Sequence, residues 1–193
     1  MSRARNLSRF KPSTTGLVAN ANIASSAAIA ASKIGTLNSA NMPSGSLVQS
    51  ARVVSKDTQV ANNTTSYVQV TGLSIAFTPL FANSIIEIFT QVFIFAAPAG
   101  ANGYGINIFK DNTRVSNSPN DTPDRPYDLY QDVSTRIIKY AWKQYYETSG
   151  STSARTYDVR GKVYYPITNN DMTLGSSNED GSENYLLIKE YKA

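Results

Sequence analysis

Residues 84–95 have the sequence Ser-Ile-Ile-Glu-Ile-Phe-Thr-Gln-Val-Phe-Ile-Phe, the most apolar stretch of the chain. Because side chains of an extended strand point alternately to opposite sides, this segment has two distinct faces. One face holds Ile86, Ile88, Val92 and Ile94, and the other holds Ile85, Phe89, Phe93 and Phe95, interrupted by Glu87 and Gln91. The β-branched and aromatic content favours a strand over a helix. Apolar residues on both faces predict a central strand, or a strand whose second face meets another subunit.

Alternation with a period of two continues along the chain on both sides of this segment. Leu73, Ile75 and Phe77 alternate with smaller residues, and Pro79 ends that strand because it has no N–H to donate. Asp111-Asn112 is typical of a turn. Further strands are predicted at residues 47–55, 66–71, 104–108, 133–146, 157–165 and 185–191. About eight short strands with Gly-, Asn- and Pro-rich turns predict an all-β fold, an antiparallel, jelly-roll-like β-sandwich over residues 47–193.

Ten of the twelve tyrosines lie after residue 126, and together with Trp142 they allow two interpretations. In the first, Tyr140, Trp142, Tyr157 and Tyr165 line the core. In the second, aromatic side chains contact a partner or stack on sugar rings, since tyrosine and tryptophan combine area with a polar tip. Tyr127 and Tyr130 lie in the long connection 110–132, and we expect them to be the better candidates for receptor or partner contacts.

The first 46 residues have no acidic residue and differ in composition from everything that follows. Arg3, Arg5, Arg9 and Lys11 account for the net charge of +4, because the 18 basic residues less these 4 leave 14, which the 14 acidic residues balance. A neutral domain with four charges at one tip predicts no nucleic-acid partner, since specific recognition needs a broad basic surface.

An Ala/Ser-rich tract follows this basic tip. Its apolar and small residues alternate in four–three spacing, as in helices that wind around one another: Ile23, Ala27, Ala30, Ile34 and Leu37. The spacing lasts barely two heptads, so the tract is either a flexible linker or a short helix ordered only against copies of itself or a partner. Residues 1–46 are therefore predicted to be an extended or short helical N-terminal arm, which Met42-Pro43-Ser44-Gly45 ends with a turn.

Composition excludes several classes of chemistry. The chain has no cysteine and no histidine, which removes disulfides, zinc fingers, thiolate nucleophiles and histidine-dependent triads. No apolar run is long enough to span a bilayer, and no signal-peptide core follows the basic start. The acidic clusters Asp121, Asp124, Asp128 and Asp132, and Glu179, Asp180 and Glu183, match no EF-hand loop and are expected to be solvated. We therefore expect neither an enzyme nor a cofactor or metal site.

Several short motifs occur in the order found in tail fibres and related virion proteins of marine and cyanobacterial bacteriophages. Residues 23–34, Ile-Ala-Ser-Ser-Ala-Ala-Ile-Ala-Ala-Ser-Lys-Ile, resemble the Ala-rich repeat of that family, and the opening Met-Ser-Arg-Ala-Arg-Asn-Leu resembles its usual start. Residues 42–49, Met-Pro-Ser-Gly-Ser-Leu-Val-Gln, resemble the junction before its C-terminal β domain. Residues 70–75 followed by Thr78-Pro79, the 108–113 hairpin and the closing Leu-Leu-Ile-Lys-Glu-Tyr at 186–191 resemble segments of that domain.

The resemblance implies a non-catalytic homotrimer in a virion, assembled in the host cytoplasm, with other virion proteins as partners. On this reading Arg3, Arg5, Arg9 and Lys11 anchor the arm, and the residues in four–three spacing form a seam between copies or with a partner. The family often strings many repeats into a shaft, whereas this chain has about one. The chain is thus expected to be a short tail fibre or a fibre-like adaptor for host attachment or assembly. A capsid decoration or head-fibre protein and a glycan-binding module remain alternatives.

Overall fold

A computed structural model describes residues 39–56, 60–62, 64–96, 102–115, 129–131, 137–163, 172–174 and 183–193. The chain divides into two compact units, Met1–Asn41 and Met42–Ala193. In the first unit the structure describes a short 3-10 helix, Ser39–Asn41. All the strands that the structure describes belong to the second unit.

The second unit is built of β-strands. In chain order they are β1 (Leu47–Ser55), β2 (Val60–Asn62), β3 (Val68–Phe77), β4 (Ile85–Ala96), β5 (Asn102–Lys110), β6 (Thr113–Arg114), β7 (Leu129–Gln131), β8 (Ile137–Thr148), β9 (Arg155–Val163), β10 (Met172–Leu174) and β11 (Asn184–Tyr191). The predicted strands at 66–71 and 73–78 form one strand, β3. This strand is irregular at Gly72, whose φ of 82° suits glycine, and its pairing with β9 shifts register between Gln69 and Ser74.

These strands form two antiparallel sheets. In the first sheet the order is β1–β11–β4–β8. The short strand β10 pairs with the last residues of β4, on the same edge of β4 as β11, and β2 pairs with β10. The two short strands therefore continue the positions of β11 and β1 in the sheet. In the second sheet the order is β3–β9–β5, and both β6 and β7 pair with the outer edge of β5. Each sheet therefore has four strand positions. Numbered along the chain, these run 1-8-3-6 and 2-7-4-5, which is the topology of a jelly roll and confirms the predicted fold class.

The core lies between the two sheets and follows the predicted alternation. Ile86, Ile88, Val92 and Ile94 of β4 are buried, and they pack with inward residues of β3, β5, β9 and β11: Val70, Leu73, Ile75, Phe77, Ile106, Ile108, Tyr157, Val159, Val163, Leu186 and Ile188. Gly161 lies among these inward positions because Leu174 occupies the space that a side chain there would need. The predicted turn at Asp111-Asn112 is confirmed as a two-residue hairpin between β5 and β6. Both residues have positive φ, 48° and 66°, as in a type I′ turn.

The two ends of the sandwich differ in what they connect. At the end that we call the terminal end, β1 begins and β11 finishes, and the connections 78–84, 111–112 and 149–154 lie here. Gly45 and Ser46 are tied to the chain's end, since the Gly45 N–H donates to the Lys192 carbonyl (2.7 Å) and the Lys192 N–H donates to the Ser46 carbonyl (2.9 Å). The opposite end of the sandwich holds the strand ends on either side of three connections, residues 97–101, 132–136 and 164–171.

Candidate functional site

The outer surface of the first sheet carries an unusual number of aromatic side chains. We call it the aromatic face and define its rings as Tyr140, Trp142 and Tyr146 of β8, Phe89 and Phe93 of β4, and Tyr185 and Tyr191 of β11. The strand register aligns these residues in rows across the sheet: Tyr185–Gln91–Trp142, Leu187–Phe89–Gln144, Lys189–Glu87–Tyr146 and Tyr191–Ile85–Thr148. Leu47, paired with Tyr191, extends the last row onto β1.

The rings of the aromatic face pack on one another. Phe89 lies between Trp142 and Tyr185, with ring centroids 6.3 Å and 5.8 Å away and nearly parallel planes. Tyr140 meets Phe93 edge-on at 5.5 Å, and Phe93 is only 5% exposed although it lies on the outer surface. Exposure is concentrated on the edge strand β8, since Trp142 is 62%, Tyr146 50% and Tyr140 41% exposed.

The interpretation in which Tyr140 and Trp142 line the core is therefore wrong, whereas Tyr157 is fully buried in the core, as the same interpretation has it. A period of two shows which residues share a side of a strand but not which side faces inward. In β8 the inward side is the one with Ala141, Lys143 and Tyr145. Tyr165 lies outside the described residues.

A carboxylate lies within the aromatic face and is held entirely by its neighbours. Glu87 accepts hydrogen bonds from the hydroxyls of Tyr146 and Tyr191 at 2.9 Å each, from Gln144 Nε2 at 2.8 Å and from Lys189 Nζ at 3.4 Å. Burial raises the pKa of Glu87, but the hydrogen bonds and the charge of Lys189 outweigh this effect and hold the pKa below its usual range. The hydrogen bond between Tyr146 and Glu87 raises the pKa of the Tyr146 hydroxyl. The carboxylate therefore needs no further donor.

A second polar cluster lies at the terminal end, around the fully buried carboxylate of Glu190. The backbone N–H groups of Leu80 (2.9 Å) and Phe81 (3.0 Å) and the Ser84 hydroxyl (2.5 Å) donate to it. Gln49 Nε2 also donates to Glu190, and it donates to the Thr78 carbonyl at a distance of 2.8 Å. We call this group the junction cluster.

The junction cluster connects three of the motifs that carry the phage-fibre resemblance: residues 42–49, Thr78-Pro79 and residues 186–191. In sequence these motifs are far apart, and Gln49 and Glu190 are separated by 141 residues. Sequence reasoning did not predict their contact. The available signal was a charged residue at an inward position of β11, in alternation with Leu186 and Ile188.

A polar cleft of about 280 Å³ lies nearby, lined by Lys110, Asp111, Ser149, Ser151, Ser153, Ala154 and Arg155. Its charged groups already have partners within the chain, since Lys110 and Arg155 pair with Glu147 and Asp111 accepts a hydrogen bond from the Thr156 N–H at 2.8 Å. Glu147 forms ion pairs with Lys110 Nζ at 2.5 Å and with Arg155 Nη1 at 3.2 Å, and it accepts a hydrogen bond from the Tyr157 hydroxyl. Burial and this hydrogen bond raise the pKa of Tyr157. The arrangement ties β5, β8 and β9 together.

Most of the site residues predicted from sequence lie outside the described residues: Arg3, Arg5, Arg9, Lys11, Ile23, Ala27, Ala30, Ile34, Leu37 and Tyr127. Tyr130 belongs to β7 and pairs with Gly103. Of the acidic clusters the structure describes Glu183, which forms surface ion pairs with Arg52 (3.3 Å) and Lys56 (2.6 Å). Within the described ranges no group of acidic side chains is arranged to hold a metal ion. The same ranges contain no helix of the length and apolarity needed to cross a membrane.

Fold and sites together define a jelly-roll module with a large aromatic sheet face. No protein-family model and no curated protein sequence matches the chain. Among solved structures, one of the T13 IBDV viral particle is similar over 75% of this chain and 36% of that chain, with 8% identity and a TM-score of 0.38. A structure of the infectious bursal disease virus VP2 subviral particle is similar over 75% of this chain and 37% of that one, with 11% identity and a TM-score of 0.25. The chain spans little more than a third of the length of these chains.

Proposed function

We propose that this protein is a non-catalytic structural component of a bacteriophage virion. In this role it forms a short homotrimeric fibre or fibre-like adaptor, which residues 1–46 anchor and whose sandwich serves host attachment or assembly. The junction cluster is the observation that carries the proposal. Motifs that resemble separate segments of phage fibre proteins would be weak signals if they were independent, but here they contact one another. Gln49 of the first motif donates both to the buried carboxylate of Glu190 in the third motif and to the backbone carbonyl of Thr78 in the second.

The arrangement of the two ends supports the same role. The chain enters β1 and leaves β11 at the terminal end, whereas strand ends joined by residues 97–101, 132–136 and 164–171 lie opposite. A module held through its terminal end would therefore have those strand ends on the side away from its anchor. Connections of this kind commonly carry binding residues.

Co-sedimentation with virions tests the proposal. Virions that lack the protein are incubated with the full chain or with a variant in which Arg3, Arg5, Arg9 and Lys11 are all serine. We expect the wild type to sediment with virions in few copies per particle, and the variant, with an unchanged melting temperature, to remain in solution. Absence of the wild type from the virion fraction would contradict the proposal, and hundreds of copies per capsid would favour a decoration protein over a fibre.

A further inference from the structure

The aromatic face has the size and composition of a contact surface. A fully exposed aromatic side chain presents roughly 150–250 Å². At the exposures given above, the three rings of β8 offer about 300 Å² between them. Ile85 and Leu47, each nearly half exposed, continue this surface to the terminal end. With the half-buried residues of β4 and β11, the face approaches the ~800 Å² that each partner contributes to a standard protein interface.

The hydrogen bonds of Glu87 favour a protein partner over a sugar that would bind to this carboxylate. A carboxylate has about four sites for hydrogen-bond donors, and Glu87 already has four donors within its own chain. It can therefore be covered by an apolar partner without losing a hydrogen bond. A ligand rich in hydroxyl groups would find the carboxylate occupied and the hydroxyls of Tyr146 and Tyr191 already donating.

The point at which the chain enters β1 favours another copy of this chain as the partner. Leu47 belongs to the face and is the first residue of β1, so the chain that precedes it, residues 1–46, joins the sandwich at the border of the face. Copies that pack through this face would bring the starting points of their arms together. The four–three pattern from Ile23 to Leu37 would then form a seam between copies, because a short helix is marginal in isolation and gains stability from a partner helix.

We propose that a second copy of this chain packs against the aromatic face, with Trp142 and Tyr146 of β8 near the centre of the contact. The proposal assigns a contact surface to the homotrimer proposed above. It rests on that proposed function only for the number of copies that associate. Such a contact covers the exposed edge-strand rings and leaves the junction cluster and the polar cleft unchanged.

Sedimentation velocity of the purified full chain over a range of concentrations tests the contact. The variants are Trp142→Ser and Tyr146→Ser, and the matched control is Leu80→Ser, which removes a 45% exposed apolar side chain outside the face. We expect the wild type and Leu80→Ser to associate alike and both face variants to associate on the order of tenfold or more weakly, as for interface aromatics in general. Thermal unfolding followed by circular dichroism shows whether each variant remains folded.

A wild type that is monomeric at every concentration would overturn the proposal, as would a folded Trp142→Ser variant that associates like the wild type. Equal weakening by Leu80→Ser would also overturn it. Binding of a neutral oligosaccharide by a monomeric chain, lost in Trp142→Ser, would assign the face to a sugar instead. None of these outcomes depends on virions, so failure of the contact and failure of the virion role are separate results.

Discussion

Replacing Glu190 with glutamine perturbs the junction cluster with almost no change in volume. The buried carboxylate receives the N–H groups of Leu80 and Phe81, the Ser84 hydroxyl and the Gln49 amide. Glutamine has one acceptor oxygen where glutamate has two, and its NH₂ group is itself a donor. With the neighbouring groups in place, at least one of the four donors loses its acceptor and faces the new NH₂ group. If the Gln49 amide turns so that its oxygen accepts from this NH₂ group, the Thr78 carbonyl loses its donor instead.

The size of the effect follows from these lost hydrogen bonds. A buried donor left unsatisfied costs about 1–3 kcal/mol, and hydrogen bonds to a charged acceptor are worth roughly 1.5–3 kcal/mol each. We expect Glu190→Gln to lower the free energy of unfolding by about 3 kcal/mol. The unit Met42–Ala193 has 193 − 42 + 1 = 152 residues. For a domain of this size each kcal/mol shifts the melting temperature by about 2–4 °C, so we expect a decrease of roughly 6–12 °C.

Thermal and urea unfolding, followed by circular dichroism, measure this difference. Glu183→Gln is the matched control because it removes a carboxylate that forms only exposed ion pairs, with Arg52 and Lys56, and such pairs contribute little. We expect its melting temperature to stay close to that of the wild type. The reasoning is refuted if Glu190→Gln melts with the wild type, or if the two substitutions destabilise the chain equally.

Three further substitutions test other parts of the structure. Gly161→Ala places a methyl group against the buried side chain of Leu174, and urea unfolding should show a loss of about 1–3 kcal/mol from overpacking. Asn112→Val forces a β-branched residue into a turn position with φ of 66°, and we expect a loss of about 1–2 kcal/mol, with Asn112→Gly much closer to the wild type. The pKa of Glu87 is lowered in the folded chain, so its ionised form contributes stability that is complete above the unfolded-state pKa and is lost as the pH falls through the folded-state pKa. The stability difference between the wild type and Glu87→Gln should accordingly narrow as the pH drops below about 4.5, the ordinary value, and a difference that is constant between pH 7 and pH 3 would contradict this reasoning.

The fold class could be predicted from the sequence because local patterns determine it. The alternation of Leu73, Ile75 and Phe77 marks a half-buried strand, and the pair Asp111-Asn112 suits a turn with two positive φ angles. Pairing between strands required the structure, since nothing local in β11 indicates that it lies between β1 and β4. Both pairings join segments that are far apart in the chain.

The candidate sites were less accessible to sequence reasoning. The pattern of β8 places Tyr140, Trp142 and Tyr146 on one side of the strand, but the direction of that side depends on the opposing sheet. In β8 the side chains that face inward include Lys143 and Glu147, and burial of Glu147 is possible because Lys110 and Arg155 reach it from β5 and β9. A compensating partner on a distant strand cannot be recognised from a single segment.

The central structural claim, that the aromatic face is covered when copies of the chain associate, can be measured directly through Trp142. It is the single tryptophan of the chain, and in the isolated chain its side chain is 62% exposed. Quenching of its fluorescence by acrylamide is measured on the full-length protein at concentrations below and above the onset of association. We expect strong quenching of the monomer and a several-fold smaller quenching constant, with a blue-shifted emission, in the assembled form. A stable oligomer whose tryptophan is quenched as strongly as that of the monomer would contradict it.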